Sequence, residues 1–253
     1  MRRYTLISLL AALALAASVA AEPGARSVEA EPSNAAGGLT DVRFGDHITH
    51  ERAVLDFRSV AAPEFDWSYR PGDTVVRVKL PQTQAASITG EAGLGRAISH
   101  YRVVRSQSGW MFVDLHLGGA ARSVDVFELR SPGRIVVDVR PGGSQTVASP
   151  AHAAGTYVMT PRGGSEVGPG EFRVSGYGRP FEASGAWRLR DSGGQVVSRG
   201  IYTTADWSVT WGAYNFRATY PERLSGQRGT LEVGQFSARD GAFKGVAVPV
   251  RFR

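Results

Sequence analysis

The chain has 253 residues, a formal net charge of +6 and no cysteine, which excludes disulfide bonds, thiolate metal sites and cysteine nucleophiles. Arginine supplies almost all of the positive charge, since Lys79 and Lys244 are the only lysines. The arginines are dispersed, without the run of like charges that marks a nucleic-acid-binding arm. Abundant glycine, valine and aromatic residues favour strands over helices, and we predict an all-β protein.

The first 21 residues have the pattern of a secretory signal peptide. Arg2 and Arg3 precede an apolar run from Leu6 to Val19, and Ala20 and Ala21 supply small residues for cleavage. The run is shorter than the roughly 20 residues of a comfortable membrane span, although an uncleaved anchor is the alternative. We predict cleavage near Ala20 or Ala21 and no transmembrane segment afterwards. Loss of Arg2 and Arg3 lowers the net charge from +6 to +4.

Composition divides the remaining chain into four parts. Residues 22–38 contain few large apolar side chains and several prolines and glycines, which is typical of a flexible tether. Residues 142–155 contain three glycines, two serines and Pro150 and predict a linker. The strand-rich parts on either side, 39–141 and 156–253, predict two β-sandwich domains.

Alternation of apolar and polar residues marks the strands of both parts. In the first, Ala53, Leu55 and Phe57 share one face of a strand, whereas the stretch from Ala92 to His100 suggests a short helical turn. In the second, about seven short strands separated by turn signals predict an immunoglobulin-like sandwich. One of these predicted strands rests on the alternation of Trp207, Val209 and Trp211.

A repeated pattern of two apolar residues, Asp, one apolar residue and a basic residue occurs three times in the first part. Its aspartates are Asp56, Asp114 and Asp138, each on the strand face opposite the core. We expect these carboxylates to pair with cations on neighbouring strands and not to act in catalysis.

The segment from Asp46 to His50 is the one grouping that resembles a metal site. Its histidines, His47 and His50, do not have the helical spacing of a zinc hydrolase, and no remote third ligand is apparent. We therefore predict a polar turn, with no metal, no cofactor and no catalytic residues, and we expect the protein not to be an enzyme. A hydrolase of unrecognised type is the least favoured alternative.

Aromatic residues alternate along one segment of the first part. Flat rings stack on sugars, and guanidinium groups pair with the carboxylates or phosphates of wall polymers. The alternative is that these aromatics cover the core. The candidate ligand-binding residues are Arg43, Arg52, Phe65, Trp67, Tyr69 and Arg70.

The first part, residues 39–141, resembles the AMIN-like domain, a relative of the AMIN domain that accompanies cell-wall amidases. The resemblance rests on TDVRFGDH (40–47), RAVLDF (52–57), PEF (63–65) and VFELRSPGRIVVD (126–138). It implies a β-sandwich that localises proteins to the envelope and contacts peptidoglycan. Glu51 stands where the family usually has an aromatic residue or Asp, so no site residue is transferred.

The second part, about residues 156–252, resembles the immunoglobulin-like domain of bacterial spore-germination proteins, the Gmad type. The segments that carry the resemblance are VSGYG (174–178), PFEA (180–183), LRDSGG (189–194), YNF (214–216), GTLEV (229–233), SARDG (237–241) and VPV (248–250). It implies an extracytoplasmic sandwich that is accessory to other modules.

These observations predict a non-enzymatic, exported cell-envelope protein in the periplasm, in the cell wall or secreted. In the leading hypothesis the AMIN-like domain binds peptidoglycan or another anionic wall glycan, and the second domain docks envelope proteins. In the alternative the chain is a protein-interaction adaptor that binds no glycan. Neither hypothesis involves nucleic acid.

Overall fold

A computed structural model describes residues 38–253, so the predicted signal peptide and all but the last residue of the predicted tether lie outside the described part. The first half of this part is made of eight strands connected by turns and loops. Their bounds are β1 Leu39–Asp46, β2 Glu51–Phe57, β3 Asp66–Tyr69, β4 Val75–Leu80, β5 Ile98–Arg105, β6 Met111–Leu117, β7 Ala121–Leu129 and β8 Arg134–Pro141.

The second half contains nine strands and two single-turn 3-10 helices, Phe181–Ala183 and Glu222–Leu224. The described chain is therefore all-β, as predicted. No helix within residues 38–253 has the length and apolar character needed to span a bilayer. The strands are β9 Ala151–Ala153, β10 Thr156–Thr160, β11 Ser165–Val167, β12 Glu171–Gly178, β13 Ser184–Arg190, β14 Val196–Thr203, β15 Trp211–Thr219, β16 Arg228–Phe236 and β17 Phe243–Phe252.

The strands form two sandwiches that share their middle sheet. A four-stranded sheet (β1-β2-β8-β7) covers one half of an eight-stranded sheet (β3-β4-β6-β5-β15-β12-β10-β9), and a five-stranded sheet (β11-β17-β16-β13-β14) belongs to the other half. Alternate residues such as Leu55 and Val113 are fully buried in the first core, and Val174 and Leu231 in the second. The strand faces that the alternating sequence pattern predicts to be apolar are therefore the faces that form the two cores.

The shared sheet is continuous through one short parallel contact between β5 and β15. Only two residue pairs make it, Trp211 with Val104 and Gly212 with Arg105. The outer faces of the two halves then pack on each other through a third buried cluster, whose members are Val104, Phe112, Tyr157 and Tyr177. We call this region the junction.

The predicted linker has a defined path in the structure. It includes β9, which pairs with β10, and Val147 donates its backbone N–H to the carbonyl of Gly72 in the first half. The domain boundary and the independent folding of the two halves stay predictions.

Two local predictions are wrong. The stretch from Ala92 to His100 contains no helical turn: it runs irregularly from a bridge between its end residues into β5. Trp207 and Val209 lie in a loop before β15 and not in a strand, because the side chain of Asp206 takes the backbone N–H groups that a strand would offer to a neighbour.

Candidate functional site

Two of the predicted binding residues, Arg43 and Arg52, lie on the outer face of the four-stranded sheet. Arg43 donates to both carboxylate oxygens of Asp56, at 2.6 and 2.9 Å. Arg52 does the same with Asp138, at 2.6 and 2.7 Å. Both guanidinium groups are thus already engaged by carboxylates, and hydrogen bonds from Arg52 help to hold the pKa of Asp138 below its usual value against the effect of burial.

The repeated aspartates pair across strands, as the sequence pattern predicts. Asp114 accepts two hydrogen bonds from Arg77, at 2.7 and 2.8 Å, from the residue directly opposite on β4. Asp138 is likewise directly opposite Arg52, whereas Asp56 is diagonal to its partner. The carboxylates therefore act as counter-ions for arginines.

The aromatic candidates belong mainly to the first core. Phe65 and Tyr69 pack against it, and the Tyr69 hydroxyl bonds the backbone N–H and carbonyl of Ala121. Trp67 is on the same side of edge strand β3, opposite Val78, with 37% of its surface exposed. Phe65 and Tyr69 thus fulfil the structural role that the sequence left as the alternative.

Arg70 alone of the six candidates is exposed at the junction, just after β3. The structure therefore does not bring the six residues to one surface. Arg43 and Arg52 lie on one sheet, Phe65 and Tyr69 on the first core, Trp67 at its edge, and Arg70 at the junction.

The segment around His47 is a turn between β1 and β2. The rings of His47 and His50 stack with centroids 4.5 Å apart, and Nε2 of His50 is 3.4 Å from Asp138 Oδ2. Asp46 instead pairs with Arg96 at 2.8 Å. Within residues 38–253, no three potential metal-ligating side chains converge.

The junction encloses a row of histidine and tyrosine rings. His116 on β6 stacks on His100 of β5 at 4.3 Å and shares a short hydrogen bond with the hydroxyl of Tyr177 on β12. His100 bonds the hydroxyl of Tyr157 at 2.9 Å. His116 and His100, from the first half, therefore each contact a tyrosine of the second half.

Burial sets the protonation of these rings. It lowers the pKa of His116 to about 2 and that of His100 to about 4, with further contributions from neighbouring cationic groups. Burial also raises the pKa of Tyr177 well above its ordinary value. At neutral pH the row is uncharged and joins the halves through neutral hydrogen bonds and ring contacts.

A groove runs along the junction beside this row, where three adjoining cavities meet at Met159. One wall comes from the first half and the other from the second. We call it the junction groove, and its principal side chains are Arg70, Arg77, Trp110, Met159, Arg162 and Arg173.

The four arginines of the groove differ in how far their charge is compensated. Arg77 is bound to the buried carboxylate of Asp114, and Arg162 contacts Asp73 at 3.1 Å. Arg70 and Arg173 form no ion pair within residues 38–253. Glu166 also lines the groove, so its four arginines stand against three carboxylates, and one positive charge remains in excess.

The second half contributes Arg162 and Arg173 to the groove, and the two guanidinium groups differ in their surroundings. Nε of Arg173 donates to Asn215 Oδ1 at 2.8 Å, which fixes the plane of the guanidinium group. Nη1 of Arg162 is buried and has no hydrogen-bond partner among the described residues, while burial lowers the pKa of this guanidinium group. A buried donor of this kind favours an acceptor in the groove.

The arrangement suits recognition of carboxylate or phosphate groups, because arginine donors form paired hydrogen bonds with both. The half-buried ring of Trp110 adds an apolar surface. Sequence reasoning found Arg70 but missed Arg162 and Arg173. They stand among many other dispersed arginines, and only the junction brings them to Arg70.

Comparison with known families agrees with the fold of the second half. Residues 156–242 match the family described as the immunoglobulin-like domain of bacterial spore germination, Gmad2. No curated protein and no solved structure matches the chain. The AMIN-like resemblance of residues 39–141 rests on its sequence segments and stays a prediction. A Gmad2-type immunoglobulin-like domain therefore occupies residues 156–242 of this chain.

Proposed function

We propose that the protein is an exported, non-enzymatic module of the bacterial cell envelope that binds peptidoglycan or a related anionic wall glycan in the junction groove. The Gmad2 match suggests an exported protein of this general kind. The observation that carries the proposal is the convergence of Arg70 and Arg173, from opposite walls, without carboxylate partners in the described chain.

The chemistry of the groove matches the chemistry of such a glycan. Lactyl and peptide carboxylates pair with guanidinium groups, and sugar faces stack on a ring such as Trp110. The sequence predicted a site within the first half alone, and the proposal moves it to the border of that half with the second. Both halves then contribute to one ligand.

The test is co-sedimentation of the full chain with purified wall sacculi. Arg70→Gln and Arg173→Gln each remove one charge-assisted contact and should weaken binding about 10- to 150-fold, since such contacts contribute about 1.5–3 kcal/mol. Binding should also weaken as salt is raised, because exposed charges are screened.

Arg199→Gln is the matched control. Arg199 is exposed on β14, outside the groove, and forms no ion pair within the described residues. The Arg199→Gln substitution removes the same charge from another surface and should leave sacculus binding unchanged. A folded wild-type chain that does not sediment with sacculi would refute glycan binding and favour the adaptor alternative. Equal losses in all three variants would refute the groove.

A further inference from the structure

One end of the second sandwich exposes a group of large apolar side chains that the proposed function does not use. The β12–β13, β14–β15 and β16–β17 connections all lie at this end, because β13 is antiparallel to β14 and β16, and β17 to β16. Backbone N–H of Phe181 in the first connection donates to the side chain of Gln235 at the third. We call this surface the aromatic end, and its apolar members are Phe181, Trp207, Val209, Phe236 and Phe243.

These side chains are unusually accessible for their type. Phe181 is 65% exposed, Phe236 56%, Val209 53% and Trp207 39%. The rings of Phe181 and Trp207 meet edge to face at 5.5 Å, and those of Phe236 and Phe243 at 5.3 Å. Two exposed aromatic pairs at the same end of a sandwich are the kind of apolar surface that marks a binding site.

The loop that presents Trp207 and Val209 satisfies its own backbone. Four consecutive N–H groups, from residues 207 to 210, donate to the carboxylate of Asp206. Arg179 donates to the carbonyl oxygens of Trp207 and Ser208 at 3.1 and 2.8 Å. A loop that bonds its backbone internally loses little when water is removed from it, whereas an ordinary surface loop would lose its hydrogen bonds to water.

The neighbouring segment holds Phe181 outward at a conformational cost. Glu182 and Ala183, the two residues after it, both have positive φ, at 53° and 58°. This region disfavours residues with a β-carbon, and such strain concentrates at functional surfaces. The exposed ring of Phe181 is therefore built into the fold and is not a fraying side chain.

The charges around the aromatic end favour an anionic surface. Three exposed cations, Arg179, Arg239 and Lys244, stand in its three connections or next to them. The exposed acids there are Glu182 and Asp240, and the carboxylate of Asp240 accepts the N–H of Ala242 within its own turn.

We infer that the aromatic end docks on a lipid bilayer that contains anionic headgroups, with Trp207 and Phe181 at the interface. Aromatic rings prefer the headgroup level of a bilayer, and nearby cations attract anionic lipids. A stable protein interface takes about 20–30 residues from each partner, far more than the few side chains here. The internally bonded loop suits a medium that offers its backbone few partners.

The test is flotation of the full chain with vesicles of phosphatidylglycerol and phosphatidylcholine in equal parts, against vesicles of phosphatidylcholine alone. We expect binding to the anionic vesicles and little to the neutral ones. Trp207→Ser and Phe181→Ser should each weaken binding about tenfold, as expected for removing one partly inserted ring. Glu182→Gln should strengthen binding several-fold, because it removes a like charge from the contact.

Two controls separate this surface from others. Val196→Ser removes a side chain that is 42% exposed at the opposite end of β14, and Arg173→Gln removes a groove cation; both should bind vesicles like the wild type. Unchanged melting temperatures show that the variants are folded. Brominated lipids should quench the tryptophan fluorescence of the wild type, with a reduced effect in Trp207→Phe.

Failure of the wild-type chain to float with anionic vesicles would overturn the inference. So would vesicle binding that survives both Trp207→Ser and Phe181→Ser, or that is lost in Arg173→Gln, since the ligand would then contact another surface. None of these outcomes bears on sedimentation with sacculi, which tests the groove separately.

Discussion

Two arginine-bearing faces of this protein look alike in sequence and differ in structure. On the outer face of the four-stranded sheet, Arg43 and Arg52 each meet a carboxylate on the neighbouring strand. At the junction, Arg77 meets one as well, but Arg70 and Arg173 line the groove beside it without one. The same residue type therefore stabilises one face and leaves the other open to an anion.

The difference arises from where the counter-ions come from. On the four-stranded sheet, the carboxylates that hold Arg43 and Arg52 are supplied by adjacent strands of the same half. At the junction the two walls come from halves that are far apart in sequence, and their charges do not match one for one. Arginines that meet across a domain border are therefore better candidates for ligand binding than those within a sheet.

The buried ion pair at the junction should contribute more to stability than the exposed pair on the four-stranded sheet. Asp114 is fully buried at the junction, and Asp114→Ala would leave the guanidinium group of Arg77 without its partner. We expect a loss of about 3 kcal/mol in the free energy of unfolding, at the low end for a buried pair because Arg77 is partly exposed. Asp56→Ala, the matched change on the outer sheet, should cost less than about 1 kcal/mol because Arg43 is mostly exposed.

Urea denaturation of both variants measures the contrast. Equal losses would show that the junction pair is no more important than a surface pair.

The next effect is a pH dependence that belongs to the junction alone. The pKa of His116 is near 2 in the folded protein, against an ordinary value of 6.5. Below pH 6.5 the unfolded chain therefore binds a proton at this residue that the folded chain does not, and stability falls as pH falls. Between pH 7 and pH 5 this amounts to about 2 kcal/mol. His100 acts in the same direction until its own pKa of about 4 is reached.

Urea denaturation at pH 7, 6 and 5 tests this dependence. His116→Gln should remove about half of the loss, because His100 contributes a similar amount over this range, whereas His47→Gln, in an exposed turn, should not reduce it. If the free energy of unfolding of the wild type does not change between pH 7 and pH 5, then His116 and His100 are accessible to water in the folded protein.

A smaller effect should come from the hydrogen bond between His116 and Tyr177. Tyr177→Phe keeps the ring but leaves Nε2 of His116 buried without its partner, which should cost about 1–2 kcal/mol. Tyr101→Phe is the control, because the ring is buried but its hydroxyl makes no hydrogen bond to another side chain or backbone group within residues 38–253. Thermal denaturation should show a lower melting temperature for the first variant only.

Sequence reasoning reached much of the fold and little of the candidate site, for physical reasons. Alternation located strands such as β2 and β4, since one face of each is buried. The alternation of Trp207 and Val209 led to a wrong prediction of a strand. A pattern of apolar and polar side chains does not reveal that the carboxylate of Asp206 bonds the backbone of the loop. The joining of β5 to β15 rests on two residue pairs and has no sequence signature. Without knowledge of this strand pairing, Arg162 and Arg173 could not be distinguished from the many other arginines.

Removal of an arginine that is already paired on the four-stranded sheet should have little effect on stability or binding. Arg43→Gln removes a predicted site residue whose guanidinium group is held by Asp56 and is 57% exposed. Its loss should change the free energy of unfolding by less than about 1 kcal/mol, as for other exposed ion pairs. It should also leave sacculus binding unchanged, while Arg173→Gln, with the same loss of one charge, weakens it. If both variants bind equally poorly, net charge and not the groove governs attraction to the wall. If Arg43→Gln alone loses binding, the ligand contacts the four-stranded sheet, on which Arg43 and Arg52, two of the six residues predicted from the sequence, lie.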